Sequence, residues 1–155
     1  MDTYPAELFQ FLERLEPIYI HAAVANRNGL PLSCRGYGVR EHLEHELVWI
    51  YILTSQWLRI QPYLEHQPWL AVLLTSGVDN ESFQLKGTFA GCRALAEDDC
   101  TFLERSRNAA SQFFPHLAAL QVMNASDCLA IGMKVKAVYL QTPGPHAGSL
   151  LMERR

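Results

Sequence analysis

The sequence predicts a mainly β fold with flanking helices, in which six antiparallel strands close on themselves as a barrel. Three observations lead there. Strand-like apolar runs recur from residue 18 to residue 141, joined mostly by short turns. The helical stretches are few and do not alternate with every strand, which argues against a doubly wound sheet. At 155 residues the chain suits one domain with its own core, spanning 1–155, and it shows no linker and no internal repeat.

Pro5 to Leu15 reads as a first helix. Leu8, Phe9, Leu12 and Leu15 recur at helical spacing, and Pro5 suits a first-turn position. Pro17 closes it. Residues 18–26, IYIHAAVAN, form a strand. Asn28-Gly29 after Arg27 is a hairpin turn, because Asn-Gly supplies the positive φ angles such a turn needs. Leu30 to Arg40 is the returning strand, and its Gly36 and Gly38 mark a bulge or a close approach.

EHLEHE, 41–46, is a connection. Leu47 to Leu53 is a buried strand by its continuous apolar character. Leu58 to His66 is a short helix, with Pro62 near its first turn or bending it. Trp69 to Thr75 is the next strand, and GVDN, 77–80, a turn. Ser82 to Leu95 is a long strand whose Gly87 and Gly91 let it bend or bulge. A helix follows, with Glu97, Asp98 and Asp99 in its first turn, where carboxylates favour the helix dipole. Pro115 ends it, and His116 to Met123 is one more short helical turn. Cys128 to Gln141 is the last strand, with Lys134 and Lys136 on one face and Val135, Ala137 and Tyr139 on the other. The tail, 142–155, carries two prolines and two glycines and reads as irregular.

The formal net charge is −3 and no basic run exists, so nucleic acid is not an expected partner. No apolar run approaches the roughly 20 residues that span a bilayer, and the start MDTYPAELFQF has no secretory pattern. A soluble, cytoplasmic protein is the expectation. The four cysteines form no C-x-x-C pair and are expected as buried or partly buried free thiols. No catalytic Ser/His/Asp order and no phosphate-cradling glycine loop is present.

Four stretches together resemble the pyridoxamine 5′-phosphate oxidase-like family of FMN-binding split barrels. AVANRNGLPLS, 23–33, is a strand, an N-G turn and G-x-P. YILTSQWLRIQPYLEHQPWLAVL, 51–73, is a strand ending in Thr-Ser before a short helix that closes on Pro. FQLKGTF, 83–89, has an apolar-Lys-Gly core, and AEDDCTFL, 96–103, is an acidic helix start. The resemblance implies a six-stranded antiparallel split barrel that pairs as a homodimer, with FMN in a groove at the interface. It implies Thr54 and Ser55 as hydroxyls for phosphate oxygens and Arg59 as a charge-assisted fork. It places Ser33 and Arg35 near the flavin ring or ribityl chain, and Gln84 and Lys86 on the strand that closes the groove. The implied activity is flavin-dependent redox chemistry on a small molecule, with the cofactor carrying the electrons. Alternatives are a non-catalytic flavin-binding module, or a haem-binding or haem-degrading barrel with His21 or His146 as ligand.

Within the second stretch the family pattern has a basic residue that aligns with Ile60, while Arg59 stands one residue away, about 100° around a helix. From the residues alone, Thr54 and Ser55 equally suit a cap for the helix at 58–66. The two readings are compatible, because a helix N-terminus is itself an anion site. His42 and His45 form H-x-x-H, but without the H-E-x-x-H order of a metalloprotease, so no native metal is expected there. Trp49, Trp57 and Trp69 are explained by core and dimer packing.

Overall fold

A computed structural model describes residues 4–42, 46–118 and 124–155. Its elements are α1 (Ala6–Leu12), β1 (Ile18–Ala25), β2 (Pro31–Gly36), β3 (Gly38–His42), β4 (Leu47–Leu53), α2 (Thr54–His66), β5 (Trp69–Ser76), β6 (Ser82–Ala94), α3 (Glu97–Phe113), α4 (Pro115–Ala118), β7 (Cys128–Leu140) and β8 (Leu150–Glu153). All strand pairs are antiparallel, in the order β2-β1-β5-β6-β7-β4-β3, with β8 added beside β7.

Two of these strands are one segment. The returning strand expected over 30–40 is broken at Tyr37, whose N–H bonds to the Tyr51 carbonyl at 2.8 Å. Before the break, β2 pairs with β1; after it, β3 pairs with β4. The bent segment therefore links the two edges of the sheet, and the expected six-strand ring is closed by the chain itself, as in a split barrel. Glycine is required on both sides of the bend. A Cβ at Gly36 would lie 2.6 Å from Ile20 Cγ2, and one at Gly38 would lie 2.8 Å from both Tyr51 and Leu103.

The hairpin at 26–30 forms as expected. Gly29 takes φ 75°, and the Asn26 side chain accepts the Asn28 and Leu30 N–H groups at 3.0 and 2.9 Å. In β6 the expected bulges fall between Lys86 and Gly87 and between Phe89 and Cys92. On the partner strand the first bulge is absorbed at Lys136. Val135 faces the core before it, and Val138 faces the core after it. Ala137 and Tyr139 thus leave the face expected to carry them with Val135.

The barrel interior is filled from both ends. Leu8 and Phe11 of α1 are fully buried, and Phe11 meets Phe83 edge-on with ring centroids 5.1 Å apart. From α2, Trp57, Ile60 and Leu64 point inward at helical spacing. Leu15, expected on the buried stripe of the first helix, is 64 % exposed, because α1 ends before it.

Three more expectations are corrected. The second helix starts at Thr54, not Leu58, so Pro62 lies well inside it. The tail is not irregular throughout: after a turn at 142–149 it returns as β8, and Leu151 and Met152 pack on the core. Arg154 then bonds the Lys136 carbonyl through its N–H and stacks over the Tyr4 ring at 5.0 Å. None of the four cysteines is in a disulfide, but Cys92 is exposed. Parts of 41–46 and 116–123, His45 included, lie outside the described residues. No helix among the described residues is long and apolar enough to cross a membrane.

Candidate functional site

The bend in the β2–β3 segment opens a cavity of about 980 Å³. One wall is the bent segment itself, Arg35 to Val39. Another is the connection from α1 into β1. The start of α2 and part of α3 also line it. α3 buries only Asp99 and Leu103, both near its start. Its remaining length presents Phe102, Arg105, Ser106, Arg107, Ser111 and Phe114 to the cavity.

α3 is held at its start by one carboxylate. Asp99 is fully buried. It accepts bonds from Tyr51 Oη at 2.5 Å, from Arg93 Nη1 and Nη2 at 2.5 and 3.1 Å, and from the Ala96 N–H at 2.8 Å. Arg40 adds an ion pair at 3.4 Å. The bond from Ala96 is half of a capping box, with the N3 carboxylate reaching back to the N-cap N–H. Burial pushes the Asp99 pKa up, but the Arg93, Tyr51 and Ala96 bonds outweigh it and hold the carboxyl well below the usual carboxylate range. Arg93 also stacks over Trp49 at 4.4 Å, and Arg40 over Phe102 at 5.1 Å.

The start of α2 is open. Its N-cap is Leu53, which has no side chain to bond the first N–H groups. Thr54 and Ser55 are the first two helical residues, exposed, and both line the cavity. They do not cap the helix. The free N–H groups and the positive end of the helix dipole therefore face the same space as two hydroxyls. Arg35 enters that space from β2. Its guanidinium lies 5.8 Å from the Tyr19 ring and 6.0 Å from the Tyr37 ring. It forms no ion pair with any carboxylate among the described residues.

The expected site residues thus divide into two groups. Thr54, Ser55 and Arg35 share the cavity. Ser33, Gln84 and Lys86 do not line it. They sit on the outward face of the sheet, which Arg35 shares with Ser33 on β2; there Gln141 Nε2 donates to Gln84 Oε1 at 3.2 Å and Lys86 lies 4.8 Å over the Tyr139 ring. Arg59 is exposed on α2 and also lies outside the cavity lining. Ile60, the position aligned with a basic residue, is 2 % exposed and packed in the core. A charge there would be buried without a partner. The α3 wall and the Asp99 cluster were not read as site features; the acidic helix start was their only visible signal. Among the described residues, no group of three or more His, Cys, Asp or Glu side chains is placed to hold a metal.

No family model and no curated relative matches the chain. Solved structures do. One titled F420 reductase superposes with a TM-score of 0.57 at 14 % identity, covering 87 % of this chain and 98 % of its own. A pyridoxamine 5′-phosphate oxidase-related, FMN-binding protein from Nostoc punctiforme gives 0.52 at 15 % identity, covering 89 % and 84 %. HutZ, the haem storage protein from Vibrio cholerae, gives 0.51 at 12 % identity, covering 86 % and 92 %. At such identities the likeness establishes the fold alone, the split barrel with flanking helices expected from the order of the four motifs.

Proposed function

We propose that this chain binds FMN, with the phosphate at the start of α2, and serves as a flavin-dependent oxidoreductase for a small molecule, working as a homodimer. One observation carries the reading. An uncapped helix start bearing Thr54 and Ser55 opens into the same cavity as Arg35, an arginine without a carboxylate partner among the described residues.

The residues fit the cofactor. A phosphate is held by N–H groups, hydroxyls and a guanidinium, and α2, Thr54, Ser55 and Arg35 bring such groups to one cavity. A flat ring system needs a partly apolar slot, and Tyr19, Tyr37, Leu103, Phe102 and Phe114 line the cavity. Bound there, the flavin supplies the electron or hydride chemistry, and the chain's residues bind and orient it. The cavity is at the upper end of the roughly 300–1,000 Å³ usual for small-molecule sites, which leaves room beside a cofactor. The FMN-binding relative in fold supports this reading.

HutZ supports a second reading, in which the ligand is haem. No histidine among the described residues lines the cavity, and His21 and His146 are exposed elsewhere. The site therefore favours FMN. Visible spectra of the purified protein, alone and after adding FMN or haemin, test both. A bound-flavin band bleached by NAD(P)H supports the oxidoreductase. A flavin band that reductants in solution leave intact supports a non-catalytic flavin-binding module. A Soret band lost on His21→Ala or His146→Ala supports haem. Binding of neither cofactor sinks both readings.

A further inference from the structure

Arg35 is held in an unusual way for an exposed arginine. Two residues on, at the bend where β2 ends, stands Tyr37. Across the β1–β2 pair, His21 is opposite Arg35, and Tyr19 stands two residues before His21 on the same face of β1. The two phenol rings consequently flank the guanidinium, at 5.8 and 6.0 Å from ring centroid to Cζ. The backbone that carries Tyr37 is tied down, and the Tyr19 ring passes close to the main chain. The N–H of Tyr37 is bonded to Tyr51 at the bend, and the Tyr19 ring occupies space that Gly77 leaves open, since a Cβ at Gly77 would lie 3.0 Å from Tyr19 Cε2. Tyr19, Arg35 and Tyr37 all line the cavity.

We infer that Tyr19 and Tyr37 are positioning residues, which hold the Arg35 guanidinium ready for a phosphate and so set a preference for FMN over riboflavin. This rests on the FMN reading above. A free arginine loses rotamer freedom when it grips an anion, and that loss subtracts from affinity. A guanidinium that already rests near two aromatic faces has given up part of that freedom beforehand, and its planar fork stays free to meet an anion. Riboflavin lacks the phosphate and gains nothing from the arrangement. The ratio of the two flavin affinities therefore isolates the effect, where affinity alone would not.

The test is titration of the full chain with FMN and with riboflavin, followed by flavin fluorescence, alongside thermal melts. The Tyr19→Leu, Tyr37→Leu pair is expected to lower the FMN-to-riboflavin affinity ratio about tenfold, whatever it does to the ring contact that the two flavins share. The Tyr19→Phe, Tyr37→Phe pair keeps the rings and is expected to keep the ratio. If the leucine pair melts early, Arg35→Lys carries the test, because it leaves both rings in place and removes the stacked fork. It is expected to lower the ratio severalfold. A leucine pair with the parent ratio, or an Arg35→Lys protein that matches the parent, overturns the positioning role even if FMN binds. A parent chain that binds FMN and riboflavin equally overturns it too, while leaving a flavin site standing. Binding of neither flavin brings down the FMN reading and this inference together.

Discussion

Thr54 and Ser55 separate two tasks that hydroxyls near a helix start can perform. A cap residue sits before the first turn and bonds an N–H of that turn; its loss lowers stability by about 1 kcal/mol. Here the cap position is Leu53, and no side-chain cap bond is made. Replacing both hydroxyls with alanine is therefore expected to weaken FMN binding at least about tenfold, from two lost bonds to a charged group. The melting temperature is expected to stay nearly unchanged. Flavin titration and a thermal melt of Thr54→Ala, Ser55→Ala check both halves, and a large stability loss with parent FMN affinity would return the pair to a purely structural role. Glu41 offers a second test at this scale. Its Oε2 is buried without a hydrogen-bond partner among the described residues, and burial followed by repulsion from Glu13 raises its pKa to about 7. The fold thus favours the protonated carboxyl more than the unfolded chain does, whose glutamates titrate near about 4.3. The linked stability is fully present below about pH 4.3, declines as pH rises towards 7, and is level above that. Glu41→Gln is expected to melt higher than the parent at pH 8 and close to it at pH 4.

Among the elements, α3 is the one whose attachment is concentrated in one residue. Asp99 joins it to β6 through Arg93, to β4 through Tyr51 and to β3 through Arg40. Removing the buried carboxylate leaves two half-buried guanidinium groups without it, which costs less than the roughly 3–5 kcal/mol of a fully buried pair because solvent screens them. Asp99→Asn is therefore expected to destabilise the chain at pH 7. Because the folded carboxyl titrates below its unfolded value, its stabilisation is present above about pH 4 and lost as pH falls further. The gap between parent and variant in urea midpoint is expected to narrow below pH 4; a gap equally wide at pH 3 would contradict the ion-pair account. The sequence carried some elements openly and hid others. The Asn28-Gly29 hairpin and the glycines of β6 are local chemistry, so they were legible. The bend at Tyr37 was half legible: its glycines marked a close approach, but which strands each half pairs with is a long-range choice. The start of α2 was misplaced because Thr-Ser reads as readily as a strand end as a first helical turn, and Pro62 drew the expected boundary forward. β8 was missed because four residues after a Pro/Gly turn have no periodicity of their own, and its strand character comes from β7. Ile60 shows the limit of aligning a motif. The alignment put a base there, while the packing of α2 puts that position in the core.

For the whole molecule, the division of the expected site residues points outward. Ser33, Gln84 and Lys86 lie on the outer sheet face, not at the chain's own cavity. On that face the register sets His21 beside Leu73 and Leu73 beside Gln84, with Ala23 beside Ala71 and Ala71 beside Lys86. Leu73 is 37 % exposed and Trp69, on the same strand face, 49 %. Small residues flanked by exposed large apolar ones make a flat patch that a monomer leaves in water, and such patches mark interaction surfaces. In the proposed homodimer this face is covered by a second copy. Ser33, Gln84 and Lys86 would then meet ligand or protein at the interface, on the face that Arg35 reaches from the same strand as Ser33. Trp69→Lys with Leu73→Glu is expected to convert a species of about twice 17.6 kDa into one of single-chain mass by light scattering. Charges at these exposed positions disturb little of the core, so the far-ultraviolet dichroism is expected to stay that of the parent. FMN affinity is expected to fall in the same variant, because part of the groove comes from the other copy. A parent chain that is already monomeric would overturn the homodimer, and a variant that keeps both its doubled mass and its FMN affinity would place the interface elsewhere.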